Sequence, residues 1–440
     1  MDLIHDPIPR LLKNLALPAS VGMLFSTLYY IVDNYFAGLL SASALAGLAI
    51  AAPVYFIGSA IAIGIGQATN AIVGHALGED NPKKAAHIAG QALSFSWISA
   101  SILGLLILWL ADDIFAMMQA HGPYIQHAHQ YLAIILPTMA ISAHGMTANG
   151  ILNSQGDTRS FRNSLIVAFF ANIALNPLFM FTFELGVPGL ALATVVTQLG
   201  NAIYLSYKIQ QTRLRPAWHI RHLKPCLNHY WTITRQALPA SLNMLLIAAG
   251  SIILTAAVAR FGESAVAGLG IGLRIEQLAL LPSIGINIAV LSLTSVNYGA
   301  KQWVRLRYIA IDAIKIGGGL MIIGGVLVYY LAHPLVSVFS QQPDVIAIGV
   351  SYLKIEALIM PAYVLSFIAS AVLQGIKRPT IPMYFNLLRQ IVLPMLFITI
   401  ALIMFKAPIE GIWWSIAIAT WLAVLIQIWH LYYTLAKLST

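Results

Sequence analysis

Charge is what this chain has least of: Asp, Glu, Lys and Arg make up 9% of its 440 residues, where an ordinary soluble domain carries about 25%. Hydrophobic residues make up 59%, so the charged side chains cannot cover the roughly three water-facing domains that this length would otherwise imply. A water-soluble globular enzyme is excluded. Cysteine is nearly absent, and the single Cys226 cannot form an intrachain disulfide. No GxxxxGK[ST] phosphate loop occurs, so ATP is not expected to drive the protein. An HExxH zinc motif and a GxSxG nucleophile turn are missing as well, which argues against an intramembrane enzyme. Acids at Asp2 and Asp6 precede Arg10 and no small-residue cleavage site follows, so no signal peptide is expected.

What the chain has instead is long uncharged runs. No Asp, Glu, Lys or Arg lies between Arg162 and Glu184, Glu184 and Lys208, Arg235 and Arg260, Glu276 and Lys301, or Lys315 and Asp344. The same holds from Glu356 to Lys377, Arg389 to Lys406 and Glu410 to Lys437. A hydrocarbon core about 30 Å thick takes about 20 apolar residues per helix, so each gap is one crossing. The longer gaps, Asp33 to Glu79 and Asp113 to Asp157, each hold the end of one span, a polar turn and most of another. The runs are too long and unalternating for barrel strands. They predict an all-α membrane protein of twelve helices at 14–38, 46–75, 87–111, 125–153, 160–183, 188–209, 232–260, 267–297, 306–332, 345–374, 380–405 and 411–436.

Basic loops stay in the cytoplasm. One set of loops carries Arg10 and Lys13, Lys83 and Lys84, Arg159 and Arg162, four basic residues from Arg213 to Lys224, Lys301 to Arg307, Lys377 and Arg378, and Lys437. The other carries little beyond Arg260 and Lys406. Both termini are therefore expected inside, and the net charge of +9 is a topology signal. Nucleic-acid binding needs one basic face with readout residues, whereas these charges are spread over separate loops.

The chain also repeats itself. ALPAS at 16–20 returns at 237–241, an offset of 221, and at that offset ALAGLAI (44–50) meets AVAGLGI (265–271), Gly64 meets Gly285 and Gly78 meets Gly299. A six-helix unit is duplicated. Six is even, so the two copies are parallel repeats about an axis along the membrane normal, with a central cleft whose rocking would give alternating access. The expected division is 1–209, a cytoplasmic linker at 210–231, and 232–440. A secondary transporter is the default reading, and the duplicated halves suit rocking better than a channel.

Ionisable residues at bilayer depth are costly and mark function by default. Asp33 lies about one turn from the outer end of the first helix, and helical spacing puts Gly22, Ser26, Tyr29 or Tyr30, and Asp33 on one face. Burial of a carboxyl favours its neutral form, so Asp33 is either a proton-binding group or an interfacial carboxylate solvated at the surface. Asn172 and Asn176 share a face of the fifth helix, ahead of Pro177, and Thr194 and Gln198 share one of the sixth. These can bond a carboxyl in either charge state, or act as glue between helices. At offset 221 Asp33 falls on Leu254, which places the coupling chemistry in the first half alone. Pro18 lies about 22 Å from Asp33 along the helix, where its missing N–H makes either a static kink or a bending point. Arg274 with Glu276 and Lys354 with Glu356 are candidate ion pairs, Glu276 being the better functional candidate. Met23, Met139, Met146, Met180, Met244 and Met360 line an adaptable pocket or simply pack. His121, His127 and His129 lack the ligand set of a metal site.

In its order of motifs the chain resembles the multidrug and toxic compound extrusion (MATE) family. The carrying residues are Pro18 with VDNYFAGLLSASALAG (32–47), QGDTR (155–159), NPLFMFTFELGVPGLALAT (176–194) and EGIWWSIAIAT (410–420). It is most similar to the prokaryotic branch related to the DNA-damage-inducible F protein. The resemblance implies two six-helix bundles with a V-shaped cleft, in the bacterial plasma membrane, as a monomer. It implies export of cationic or amphipathic organic compounds in exchange for a coupling cation, with no cofactor. Asp33 matches the branch's cation-coupling Asp, and the polar network falls on Asn172, Asn176 and Thr194, with Tyr131 and Asn149 less directly matched. Two departures favour H⁺ over Na⁺: Asn176 stands where many branch members have Asp, and Ile247 stands near the acidic position of the sodium-linked branch. A lipid-linked precursor flippase of the same superfamily is the alternative, but it needs a cationic cleft, whereas the deep charge of the first half is the acidic Asp33.

Overall fold

In lipid every backbone N–H and C=O must be satisfied within its own segment, so long apolar runs fold as helices. The computed structural model describes residues 1–438 and, within them, every side chain but those of 216, 218 and 220. In chain order the α-helices are α1 (Ile8–Leu40), α2 (Ala42–Gly78), α3 (Pro82–Trp109), α4 (Ala111–Met117), α5 (Tyr124–Ile135), α6 (Met139–Asn153), α7 (Arg159–Pro177) and α8 (Val187–Gln210). Then come α9 (Ile220–Leu223), α10 (Leu227–Val258), α11 (Glu263–Ala279), α12 (Leu281–Gly299), α13 (Trp303–Ser337), α14 (Pro343–Gly375), α15 (Thr380–Leu387), α16 (Leu393–Thr399) and α17 (Glu410–Lys437). No strand occurs among the described residues. Among the described residues, eleven helical stretches are long and apolar enough to cross a membrane, or twelve when α5 and α6, bent by 55°, count as one span.

Two of the expected helices are broken. The run 125–153 is α5 and α6, separated at Pro137, whose ring and missing N–H interrupt the ladder. Thr138 donates its hydroxyl to Ile134 O at 3.0 Å and Ile135 O at 2.9 Å, which satisfies carbonyls freed by the break. The run 267–297 is α11 and α12, parted at Leu280 ahead of Pro282. At offset 221, α2 (42–78) corresponds to 263–299, so one copy of the repeat keeps a single helix where the other has two. A π-helical turn, Leu178–Thr182, follows Pro177 at the end of α7.

The chain forms two compact units, Met1–Ser20 with Asn243–Thr440, and Val21–Leu242. These bounds differ from the expected 1–209 and 232–440, because they cut through α1 and α10 just after Pro18 and Pro239. Glycine explains the exchange. In the Val21–Leu242 unit, a Cβ on Gly64 of α2 would lie 2.7 Å from Ser241 N and 2.9 Å from Ala237 O of α10. In the other unit, a Cβ on Gly285 of α12 would lie 2.5 Å from Ala16 O and 3.0 Å from Ser20 N of α1. Each residue of the second contact lies 221 positions from its counterpart in the first, Gly285 after Gly64 and Ala16 and Ser20 before Ala237 and Ser241, so the duplicated ALPAS segments and glycines make the same backbone approach twice.

The stretch 210–231 is no free connector. Gln91 of α3, fully buried, donates its amide to His222 O at 2.6 Å and Lys224 O at 2.7 Å and accepts from Cys226 N at 3.0 Å. These bonds hold the stretch to the Val21–Leu242 unit.

Candidate functional site

Within the Val21–Leu242 unit, Asp33 of α1 is 5% exposed and meets α7. Asn172 and Asn176, four residues apart on α7 and fully buried, each donate an amide N–H to Asp33 Oδ1, at 2.9 and 3.0 Å. Their remaining N–H groups serve each other: Asn176 Nδ2 reaches Asn172 Oδ1 at 3.0 Å and Asn172 Nδ2 reaches Asn176 Oδ1 at 3.5 Å. All four amide hydrogens are thereby used. Thr194 of α8 neighbours the same carboxyl, and its hydroxyl donates to Leu190 O at 3.2 Å. No Lys, Arg or His of the described residues pairs with Asp33.

The local backbone serves this cage. Pro177 follows Asn176 directly, and the π-turn after it brings Phe179 and Met180 against Gly189, where a Cβ would sit 2.7 Å from Phe179 C. Only a glycine lets the start of α8, and with it Thr194, come so near to α7. Such π-turns concentrate at functional sites.

Asp33, Asn172, Asn176 and Thr194 are thus brought together. Tyr30 is not among them: it is 51% exposed, and Tyr29, four residues before Asp33, takes the inner position instead. The Tyr29 hydroxyl lies 2.7 Å from Thr197 Oγ1, which itself donates to Thr194 O at 2.9 Å, and it adjoins Asn172 and Thr194. Thr197 and Tyr55 were not read from the sequence. Gln198 donates to the Tyr55 hydroxyl at 3.0 Å, one turn from Thr194. Ser26 is half-buried and makes no bond to the cage, and Tyr131 is buried in the core that also holds Met180 and Leu190. Asn149 is buried on α6 with its Oδ1 unpartnered and makes no bond to Asp33. Pro18 is buried in the Met1–Ser20 segment, which belongs to the other unit. Met139, Met180 and Met360 are core residues rather than pocket lining.

The two candidate ion pairs do not form. Arg274 and Lys354 are exposed, with Lys354 5.5 Å from the Tyr329 ring centroid. Residues two apart on a helix do not face each other. Glu276 instead accepts from the Tyr352 hydroxyl at 2.5 Å, and a buried arginine, Arg389, enters the same region from the π-turn Leu388–Val392. That arginine stands inside the expected span 380–405, a position that could have flagged it. Near α5, His129 pairs with Asp112 at 2.9 Å, and the described residues include no group of three or more His, Cys, Asp or Glu that could hold a metal ion.

The sequence profile of the MatE family matches residues 18–178 and again 239–400. The chain belongs to the MatE family. The two matches begin 221 residues apart, the offset of the internal repeat. It is a multi-pass membrane transporter of the secondary type and not an enzyme. Among its relatives, an FAD transporter of Shewanella oneidensis is 26% identical over 89% of this chain and 87% of its own length. The multidrug export protein MepA of Staphylococcus aureus is 24% identical over 96% of this chain and 92% of its own. A solved outward-facing multidrug resistance MATE family transporter of the MOP superfamily superposes with a TM-score of 0.93 at 23% identity, covering 100% of this chain and 98% of that one.

Proposed function

We propose that this transporter is an antiporter that exports cationic or amphipathic organic compounds in exchange for H⁺, with Asp33 as the coupling site. The observation that carries the reading is a buried carboxyl without a cationic partner, held by two neutral amides. A fixed Lys or Arg would lock Asp33 as an anion, whereas amides and a hydroxyl tolerate both charge states. Asn172 and Asn176 turn N–H groups, not oxygens, toward Oδ1, and their own oxygens accept from each other. That arrangement favours a carboxyl exchanging a proton over an oxygen cage for Na⁺. Multidrug export by MepA supports the substrate class.

The reading includes the bacterial plasma membrane, both termini in the cytoplasm, a monomer, and the branch related to the DNA-damage-inducible F protein. It also includes bending of α1 near Pro18, supported by the passage of α1 from one compact unit to the other at Ser20. One charge crossing 100 mV is worth about 2.3 kcal/mol, enough for roughly a fortyfold gradient of a neutral partner. The test is uptake of a fluorescent organic cation into proteoliposomes under a pH gradient or a Na⁺ gradient imposed separately. The pH gradient alone is expected to drive uptake, and Asp33→Asn to abolish it with folding intact. Uptake driven by neither gradient ends the antiport reading; persistence in Asp33→Asn moves the proton site elsewhere.

A further inference from the structure

The unit formed by Met1–Ser20 and Asn243–Thr440 contains a cavity of its own, about 390 Å³, a size that admits small organic ligands. Much of its wall is apolar, including Ile247, Leu254, Phe367 and Ile398. Two side chains of opposite charge open onto it, Glu276 of α11 and Arg389 of the π-turn after α15. Charges at this depth ordinarily pair with each other. These do not: no salt bridge within 4.0 Å joins Arg389 to Glu276 or to Glu356 behind it.

Arg389 is 3% exposed and poorly satisfied. Its Nη2 makes one long bond, 3.4 Å to Asn386 Oδ1, its Cζ lies 5.1 Å from the centroid of the Tyr363 ring, and its Nε has no acceptor. Glu276 accepts the Tyr352 hydroxyl on Oε2, and the fully buried Glu356 leaves Oε1 unpartnered. A buried guanidinium with an idle donor is an expensive arrangement unless something supplies the acceptor.

We propose that this cavity binds an amphipathic zwitterion, whose carboxylate accepts from Arg389, whose ammonium donates to Glu276, and whose apolar frame packs on the aliphatic and Phe367 wall. Each simpler ligand leaves a charge unmet. An organic cation would answer Glu276 and add a second positive charge beside Arg389. An anion would answer Arg389 and face Glu276 across the same cavity. A zwitterion satisfies both and brings no net charge into the bilayer interior.

The site makes no use of Asp33, and its binding is read at equilibrium with no gradient, so it stands or falls independently of proton coupling. The probe is Nε-dansyl-lysine, which carries an ammonium, a carboxylate and a fluorescent apolar ring. It is titrated into the intact protein in phosphatidylcholine nanodiscs, with protein-free nanodiscs subtracted. Its methyl ester keeps only the cation and its Nα-acetyl derivative keeps only the anion. The zwitterion is expected to bind about tenfold or more tighter than either derivative. Arg389→Gln should erase its advantage over the ester, and Glu276→Gln its advantage over the acetyl derivative. Equal affinities of the three probes for the unaltered protein overturn the proposal without any variant. So does an Arg389→Gln protein that still prefers the zwitterion to the ester. Should that variant not fold, Ile247→Trp fills the cavity instead, and unchanged dansyl-lysine binding there has the same consequence.

Discussion

Gly64→Ala tests the duplicated contact that assigns the two ALPAS segments to their units. The new Cβ would lie 2.1 Å from Ser241 Oγ, 2.7 Å from Ser241 N and 2.9 Å from Ala237 O. The hydroxyl can rotate away, but the two backbone atoms belong to a helix and move only with it. Overpacking of this kind costs about 1–3 kcal/mol. At about 2–4 °C per kcal/mol for units of roughly this size, thermal unfolding of the purified protein should fall by about 2–12 °C. Gly285→Ala meets Ala16 O at 2.5 Å and Ser20 N at 3.0 Å, so it should lose a similar amount in the other unit. Gly318→Ala on α13 is the control, since a Cβ there meets nothing within 4 Å and helix propensity favours Ala by about 1 kcal/mol. Ser241→Gly should not rescue Gly64→Ala, because it removes only the hydroxyl. A Gly64→Ala protein as stable as Gly318→Ala, or one restored by Ser241→Gly, refutes the backbone-approach argument.

Removing either amide from the cage, by Asn172→Ala or Asn176→Ala, strips one bond from Asp33 and the two bonds that the amides exchange. Each should lower stability by about 1–3 kcal/mol, and the double variant should lose less than the sum, as read by thermal unfolding. Tyr29→Phe should cost about 0.5–1.5 kcal/mol through its bond to Thr197, while Tyr30→Phe should leave unfolding and transport unchanged. Gln91→Leu removes three bonds to the 210–231 stretch, at about 1 kcal/mol each. Trypsin should then cut after Arg221 at least about tenfold faster, with the rest of the protein still folded.

Much of the fold could be read from where charge is missing. Gaps such as Arg162 to Glu184 located the spans because a charge at depth is too costly to be placed casually. Asn172 and Asn176 were legible as a pair because four residues return to the same helix face, and the structure has both of them on one oxygen of Asp33. The choice between Tyr29 and Tyr30 was not legible, since the two stand about 100° apart around a helix whose rotation is set by packing. Near neighbours in sequence misled: Arg274 and Glu276 point to different sides of α11, and the partner region of Glu276 comes from residues 352 and 389, far along the chain. Pro137 and Pro282 break their helices while α1 runs on through Pro18, a difference that depends on what takes up the freed carbonyls. The bounds of the compact units depend on Gly64 and Gly285 meeting backbone of α10 and α1, contacts that no local pattern carries.

The central claim is that Asp33 exchanges its proton for the exported compound. The most direct measurement is proton release when a cationic drug is added to purified, weakly buffered protein, followed with a pH-sensitive dye. Release is predicted for the unaltered protein and for Glu276→Gln, and none for Asp33→Asn. Release from Asp33→Asn equal to that of the unaltered protein would contradict the account.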